Sequence, residues 1–109
     1  MRIAKIAVEA ATYAIDKPYS YLVPAEMALG VGCRVLAPFG RGNRTSEGIV
    51  LSLEDGVPAG PLKALRLNLD GDPLISQREI KLALWMRQRY FCTFYDAIRT
   101  ILPAAVWYH

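Results

Sequence analysis

Residues 32–50, GCRVLAPFGRGNRTSEGIV, decide the fold because they predict two neighbouring strands joined by a loop. In the first strand, Cys33, Val35 and Ala37 alternate with the residues between them. Pro38 is expected to end this strand because proline has no amide hydrogen to donate. The loop is then expected to cover residues 39–46, which is well beyond the two-residue loops of the commonest hairpins.

The predicted loop at residues 39–46 is rich in glycine and arginine. Glycine lets the backbone approach a ligand closely, and the guanidinium group matches phosphate. Phe39 adds an aromatic ring that either contacts a ligand or packs in the core. The second strand is predicted over residues 47–53, with Ile49, Leu51 and Leu53 on one face. An ordinary solvated hairpin loop is the alternative for this composition.

Three further strands are predicted from alternating apolar residues, at residues 2–10, 19–23 and 64–69. In the second of them, Tyr19 and Tyr21 point to one side. The last has the most regular alternation in the chain, so Leu65, Leu67 and Leu69 are expected to form the buried face of a half-buried strand.

A helix is predicted after Ser76, because Glu79 lies three residues further on and completes a capping box. Ile75 can pack against Ile80 across the start of this helix. Its apolar residues cover one broad arc, which consists of Ile80, Ala83, Leu84, Met86 and Tyr90. Trp85 falls among the polar residues of the opposite arc.

The chain of 109 residues has the length of one domain, and 53% of its residues are hydrophobic, so it can bury a core. A second, short helix is predicted over residues 94–102, with Thr93 and Asp96 as its capping pair and Pro103 after its end. Strands followed by helices predict an α+β fold. We expect a single domain, residues 1–109, built as a small antiparallel β-barrel of five to six strands with one main and one short helix.

Few residues of the sequence could carry out catalysis. His109, the last residue, is the only histidine, and no phosphate-binding GxxxxGK[ST] motif is present. Cys33 and Cys92 have no metal-like spacing, and Cys33 is expected to be a buried structural residue. We therefore predict no catalytic residue, metal or cofactor in this chain. No apolar run is long enough to span a membrane and no export signal is evident, so a cytoplasmic location is expected.

The sequence favours binding to an anionic partner, since its formal net charge is +3. Basic residues accompany the aromatic residues Tyr19 and Phe39 along the strands and the loop, and they are Lys17, Arg34, Arg41, Arg44, Lys63 and Arg66. Proteins that bind single-stranded nucleic acid combine cations for the backbone with aromatic faces for the bases. For each basic residue taken alone, a solvated surface charge is the alternative.

The order and spacing of several short motifs resemble the N-terminal domain of the PriA (primosomal protein N′) replication-restart helicase family. These motifs are PYSYLVP, GCRVLAPFGR, the LK step at Lys63, LALWMRQRY and a closing LP. The resemblance implies a barrel that holds the 3′ end of the nascent leading strand at a stalled replication fork and so orients an ATP-dependent 3′–5′ DNA helicase. The ATPase lobes and the zinc region of the family, with their ATP, Mg and Zn, have no counterpart in this sequence.

The same resemblance implies roles for individual residues. Tyr19 takes the position beside the terminal base, Gly40 matches the glycine whose backbone approaches the nucleotide, and Lys63 matches a lysine that lines the pocket. Ser20 stands where most family members have an acidic residue, so we predict weaker capture of the terminal base. Arg41, Arg44 and Lys17 are candidate phosphate contacts. The implied partners are fork DNA, the remaining helicase domains, other primosome proteins and single-stranded DNA-binding protein.

Two other interpretations of the sequence remain open. Exposed residues of the helical part could form a protein-docking module of the primosome, and the candidates for this surface are Arg78, Trp85, Trp107 and Tyr108. A generic RNA-binding barrel of the OB type is the other alternative, and it would prefer strands that carry internal 2′-hydroxyl groups.

Overall fold

A computed structural model of the chain describes residues 1–10, 17–58, 60–69, 75–89 and 92–101. Its elements, in chain order, are β1 (Arg2–Val8), β2 (Tyr19–Leu22), β3 (Arg34–Phe39), β4 (Arg44–Asp55), β5 (Leu67–Asn68), α1 (Gln77–Arg89) and α2 (Phe94–Ile101). Among the described residues, the five strands form one sheet in the order β2-β1-β4-β3-β5, and all neighbours are antiparallel. The predicted α+β class, with strands before helices, is confirmed.

The two edges of this sheet are joined by the residues that lead into β5. On one side, Leu22 N donates to Lys63 O at 2.9 Å and Leu65 N donates to Leu22 O at 3.0 Å. On the other side, Arg66 N donates to Leu36 O at 2.8 Å. Residues 63–69 therefore lie between β2 and β3 and close the sheet into a small barrel.

The predicted strand at residues 64–69 is only partly correct. The regular strand is limited to β5, and Leu67 is 50% exposed whereas Leu65 is buried. Arg66 N and Leu69 N both donate to carbonyls of β3, although they are three residues apart. In a regular strand, backbone N–H groups point to the same neighbour at every second residue, so two of them three residues apart would point in opposite directions. The change of phase between these residues explains why the leucines do not share one buried face.

The predicted end of the first hairpin strand at Pro38 is wrong. β3 continues through Pro38, which pairs with Thr45, and Phe39 pairs with Arg44. The connection between β3 and β4 is therefore the four residues 40–43, which we call the hairpin tip, and not residues 39–46.

The direction of the β3 hydrogen bonds explains why Pro38 is tolerated. Cys33 O accepts from Val50 N of β4, whereas Arg34 O and Leu36 O accept from the β5 side. The backbone polar groups of successive residues in a strand point alternately to its two neighbours, so the nitrogen of Pro38, like the carbonyls of Arg34 and Leu36, points away from β4. On that side, β5 has already ended. No ladder hydrogen bond is lost there, as is usual for proline at a strand edge.

The prediction that Ile49, Leu51 and Leu53 share a face is wrong for Leu53. The register of β1 against β4 shifts after Lys5, so Leu51 is an extra residue on β4. Such a bulge changes the side-chain phase of the strand. Ile49 and Leu51 consequently face the helices, while Leu53 packs against the barrel interior.

The domain has two hydrophobic cores on opposite faces of the sheet. Ile6 and Val8 point into the barrel interior, while Ala7 between them belongs to the core under the helices. This arrangement explains why the end of β1 is buried on both faces. Cys33 is fully buried in the barrel interior, as predicted. The second core is formed by Ala7, Ile49, Ile75, Ile80, Ala83, Phe94, Tyr95, Ala97 and Ile98.

Both predicted helix starts are confirmed. Ser76 N donates to Glu79 Oε1 at 3.0 Å and Glu79 N donates to Ser76 Oγ at 3.2 Å, which is a complete capping box. Asp96 N donates to Thr93 Oγ1 at 3.1 Å at the start of α2. Ile75, as predicted, joins Ile80 in the core under the helices.

The predicted apolar arc of α1 is too broad. Ile80 and Ala83 are buried and Met86 is half-buried, so the packed stripe advances by three residues at a time. Leu84 lies at the margin of this stripe and is exposed. None of the described helices is long and apolar enough to cross a membrane. The predictions made for Tyr90, Leu102, Pro103, Trp107, Tyr108 and His109 lie outside the described residues.

Candidate nucleic-acid interface

A hollow of about 330 Å³ lies where β2 begins and β3 ends, next to the closing segment of the barrel. It brings together the four residues assigned to DNA-end binding, although they come from distant parts of the chain. Its lining consists of Tyr19, Ser20, Tyr21, Phe39, Gly40, Pro61, Leu62 and Lys63. We call it the end hollow.

Two aromatic rings form one wall of the end hollow. The centroids of Tyr19 and Phe39 are 5.0 Å apart and their planes meet at 83°, which is an edge-to-face pair. Both residues are only partly buried, since they pack on the barrel core and also line the hollow. Phe39 therefore serves as both a core residue and part of the candidate site.

Tyr21 supports this wall from the barrel interior. Its hydroxyl donates to Pro38 O at 2.8 Å, and this bond ties β2 to the end of β3. Burial raises the pKa of Tyr21, and the neighbouring Tyr19 adds to the effect. Tyr21 thus stays a neutral hydrogen-bond donor near the floor of the end hollow at physiological pH.

The hairpin tip forms the rim of the end hollow at Gly40. Gly40 has φ +77°, a left-handed conformation that glycine adopts without strain, and a Cβ placed there would meet no atom within 4 Å. Lys63 Nζ donates to Gly40 O at 2.9 Å across the hollow. The space in front of the Gly40 backbone is therefore open to a ligand, with an ammonium group beside it.

The three candidate phosphate contacts lie around the end hollow and do not line it. Lys17 Nζ is 5.5 Å from the centroid of the Tyr19 ring, and its side chain is exposed. Arg41 is exposed on the hairpin tip. Arg44 starts β4 and lines a neighbouring hollow, which shares Phe39 with the end hollow and is also lined by Glu9 and Glu47.

Arg34 and Arg66 have protein partners, although their sequence positions suggested DNA contacts. Arg34 Nη1 is 4.0 Å from Glu47 Oε1. Arg66 Nη2 donates to Asn43 O at 2.9 Å. Sequence reasoning also missed Pro61 and Leu62, which complete the wall beside Lys63. Their only sequence signal is that they directly precede that lysine.

The exposed side of α1 carries large apolar side chains among its polar residues. Leu82 and Trp85 are each 46% exposed, and Arg89 lies over the Trp85 ring at 5.0 Å from its centroid. Trp85 is on the polar side of the helix, as predicted. That Trp85 contacts another domain or protein stays a prediction.

Comparisons with known proteins identify the family of the chain. Residues 5–103 match the family model of the 3′DNA-binding domain (3′BD) of PriA, which is a DNA-binding and not a helicase region. The chain is similar to replication restart protein PriA of Bacillus subtilis (26% identity over 97% of the chain), of Rickettsia conorii (30% over 94%) and of Haemophilus influenzae (28% over 94%). It spans only 13%, 15% and 14% of the length of these three relatives. The chain therefore belongs to the family of PriA 3′ DNA-binding domains, and its partner at the level of the family is DNA.

Proposed function

We propose that this domain binds the 3′-terminal nucleotide of a DNA strand in the end hollow. The observation that carries the proposal is the meeting of Tyr19, Gly40 and Lys63 around one space of about 330 Å³. That volume falls in the range of small-ligand pockets, which is roughly 300–1,000 Å³. These residues offer an aromatic wall for the base, accessible backbone groups for the sugar and an ammonium group for the phosphate of a nucleotide.

The terminal base would stack against the wall of Tyr19 and Phe39. Stacking on an aromatic side chain is worth roughly 1–3 kcal/mol for each base and tolerates every base, because all bases have a π-face. Backbone groups at Gly40 can meet the sugar without reading sequence. Binding is therefore expected to be largely independent of sequence.

Lys63 would supply the electrostatic part of the interaction. Its ammonium group has three donors, and one of them is directed to Gly40 O. The other two can reach oxygens of the sugar or of the last phosphate. With Lys17 nearby and few phosphate contacts in total, we expect affinity on the order of micromolar or weaker, falling as salt is added.

Selection of an end would follow from the closure of the barrel beside the hollow. Pro61, Leu62 and Lys63 line one side and Gly40 of the hairpin tip another. On this proposal, a strand that continued past its 3′ hydroxyl would meet one of these two sides. In a longer PriA-type protein, such selection would orient a helicase on the nascent leading strand of a stalled fork in the bacterial cytoplasm. The remaining helicase domains and other replication-restart proteins would then be its partners.

The proposal is tested by comparing single strands that end in a 3′ hydroxyl with strands that end in a 3′ phosphate. Each strand carries a fluorophore at its 5′ end, and affinity is measured by anisotropy. We expect the hydroxyl strand to bind about tenfold more tightly, because the proposed site fits a terminal nucleotide and an added 3′ phosphate would have to be placed against its lining. Equal affinity for the two strands would falsify end recognition.

The Lys63→Ala variant is expected to bind the 3′-hydroxyl strand about tenfold more weakly, since it loses a charged hydrogen-bond donor at the site. Lys81→Ala is the matched control, because Lys81 is an exposed lysine on α1 that does not line the end hollow. Both variants lose the same charge. If the two lose affinity equally, Lys63 acts only through net charge and its assigned role is wrong.

The Ser20→Asp variant is expected to bind the 3′-hydroxyl strand about threefold to tenfold more tightly, since a carboxylate is a stronger acceptor toward a base edge than a hydroxyl group. Lys5 pairs with Ser20 in β2 and with Ser52 in β4. Ser52→Asp therefore adds the same charge beside the same lysine without touching the end hollow. Weaker binding by Ser20→Asp than by Ser52→Asp would contradict the assigned role of position 20.

A protein-docking function is the second candidate, and the exposed Leu82 and Trp85 favour it. It does not compete with DNA binding, because these residues do not line the end hollow. Trp85→Ala is accordingly expected to leave DNA affinity within about twofold of the wild type, which the same anisotropy assay measures.

A further inference from the structure

We infer that Arg66 is a positioning residue that holds the hairpin tip in the conformation that forms the rim of the end hollow. This inference rests on the function proposed above and assigns a role to a residue that does not line the site. Four described contacts carry it, and all of them connect Arg66 or Lys63 to the hairpin of β3 and β4.

The guanidinium group of Arg66 connects the closing segment of the barrel to the far side of the hairpin tip. Arg66 Nη2 donates to Asn43 O at 2.9 Å, and Nη1 donates to Thr45 Oγ1. The backbone nitrogen of Arg66 also donates to Leu36 O of β3 at 2.8 Å. Both ends of this residue therefore bind the same hairpin.

The hairpin tip benefits from such support chiefly at Asn43, because this left-handed position carries a side chain. Gly40 has φ +77° and Asn43 has φ +49°, so a left-handed residue stands at each end of the tip. The left-handed region disfavours residues other than glycine, although asparagine tolerates it better than most. The carbonyl of Gly40 is held by Lys63 and the carbonyl of Asn43 by Arg66. Two cations of one segment thus fix both ends of the tip.

The use of its donors distinguishes Arg66 from a phosphate contact. A guanidinium group offers a planar fork of donors, and here two of them are directed to acceptors of the hairpin. Lysine carries the same charge but cannot form a planar fork. The geometry, more than the charge, is therefore expected to matter at position 66, and the Arg66→Lys exchange separates these two properties.

The test compares Arg66→Lys and Thr45→Val with the wild type in the same anisotropy assay over a series of salt concentrations. Each variant removes one side of a hydrogen bond, and neither changes the net charge. We expect Arg66→Lys to lose about fivefold in affinity for the 3′-hydroxyl strand and most of the preference over the 3′-phosphate strand. Thr45→Val is expected to show a smaller loss in the same direction. The slope of log K against log salt should not change, because both variants keep the positive charges of the wild type.

Amide hydrogen exchange of the free protein gives a second readout that does not depend on DNA. Asn43 N donates to Gly40 O at 3.2 Å across the tip. Exchange of the Asn43 amide is expected to be about fivefold to tenfold faster in Arg66→Lys, because the tip opens more often. Wild-type affinity and end preference in Arg66→Lys, or unchanged Asn43 exchange, would overturn the inference. If the wild type itself bound the 3′-hydroxyl and 3′-phosphate strands equally, that result would count against the proposed function alone.

Discussion

Replacing Gly32 with alanine is expected to cost on the order of 3 kcal/mol of the free energy of unfolding, or more. Gly32 precedes β3 and has φ +93°, which is strained for any residue with a side chain. A Cβ at this position would lie 1.9 Å from the carbonyl oxygen of Ile75, an atom of the backbone that cannot rotate away. The segment before α1 would have to move off the barrel, and Ile75 would leave the core.

Urea denaturation measures this effect, and Gly56→Ala is the matched control. A Cβ at Gly56 would meet no atom within 4 Å, so its alanine variant is expected to stay within about 1 kcal/mol of the wild type. Small domains have only about 5–15 kcal/mol of stability in total, so the two variants should be clearly separated. Equal stability of the two variants would show that the segment before α1 does not pack on Gly32.

Raising the pH above about 10 is expected to destabilise the domain by up to about 1.4 kcal/mol for each pH unit and each buried tyrosine. Burial raises the pKa of Tyr95, and the hydrogen bond that its hydroxyl donates to Glu47 at 2.8 Å raises it further. The charges of Glu47 and Glu9 act in the same direction, and Arg99 opposes them. Burial also raises the pKa of Tyr21.

The sign of this effect follows from proton binding. In the unfolded chain a tyrosine ionises around its ordinary pKa of 10.0, while the pKa of Tyr95 in the folded domain is higher. The folded state therefore binds more protons above pH 10, and stability falls as the pH rises. Below pH 10 both states are protonated and the stabilisation is fully present.

The Tyr95→Phe variant checks this prediction. The slope of unfolding free energy against pH, measured by urea denaturation between about pH 10 and 12, should be smaller than in the wild type by about 1.4 kcal/mol per pH unit. At neutral pH the variant is expected to lose about 1–3 kcal/mol, because Glu47 loses a hydrogen bond. An unchanged slope in the variant would mean that Tyr95 ionises in the folded protein as it does in the unfolded chain.

Local patterns were sufficient for the starts of the helices but not for the ends, side-chain phase and pairing of the strands. The capping box of Ser76 and Glu79 and the cap at Thr93 involve residues three apart, so the sequence contains all the information. Whether β3 can continue through Pro38 depends on which neighbouring strand the nitrogen of Pro38 faces. The face on which the Leu53 side chain lies depends on a bulge in β4 next to the pair of Lys5 and Ser52. Both are properties of the assembled sheet, and no alternation within one strand encodes them.

The candidate site was predictable from the resemblance and not from residue chemistry alone. Composition indicated only that cations accompany aromatic rings, and it grouped Arg66 with Lys63 although the two have different partners. The order of the motifs identified the family, which the family comparison confirms. The contribution of Pro61 and Leu62 could not be predicted, because apolar loop residues give no local signal until the barrel closes around them.

The closure of the barrel by residues 63–69 would couple the proposed DNA binding to the folding of the domain. The segment that joins the two sheet edges also carries Lys63 and Arg66, so the site is assembled only when the most distant strands have met. A partly folded chain would have no affinity for a strand end. If the proposed site binds a DNA terminus, the bound strand would in turn stabilise the whole domain, and this stabilisation would grow with the logarithm of the ligand concentration.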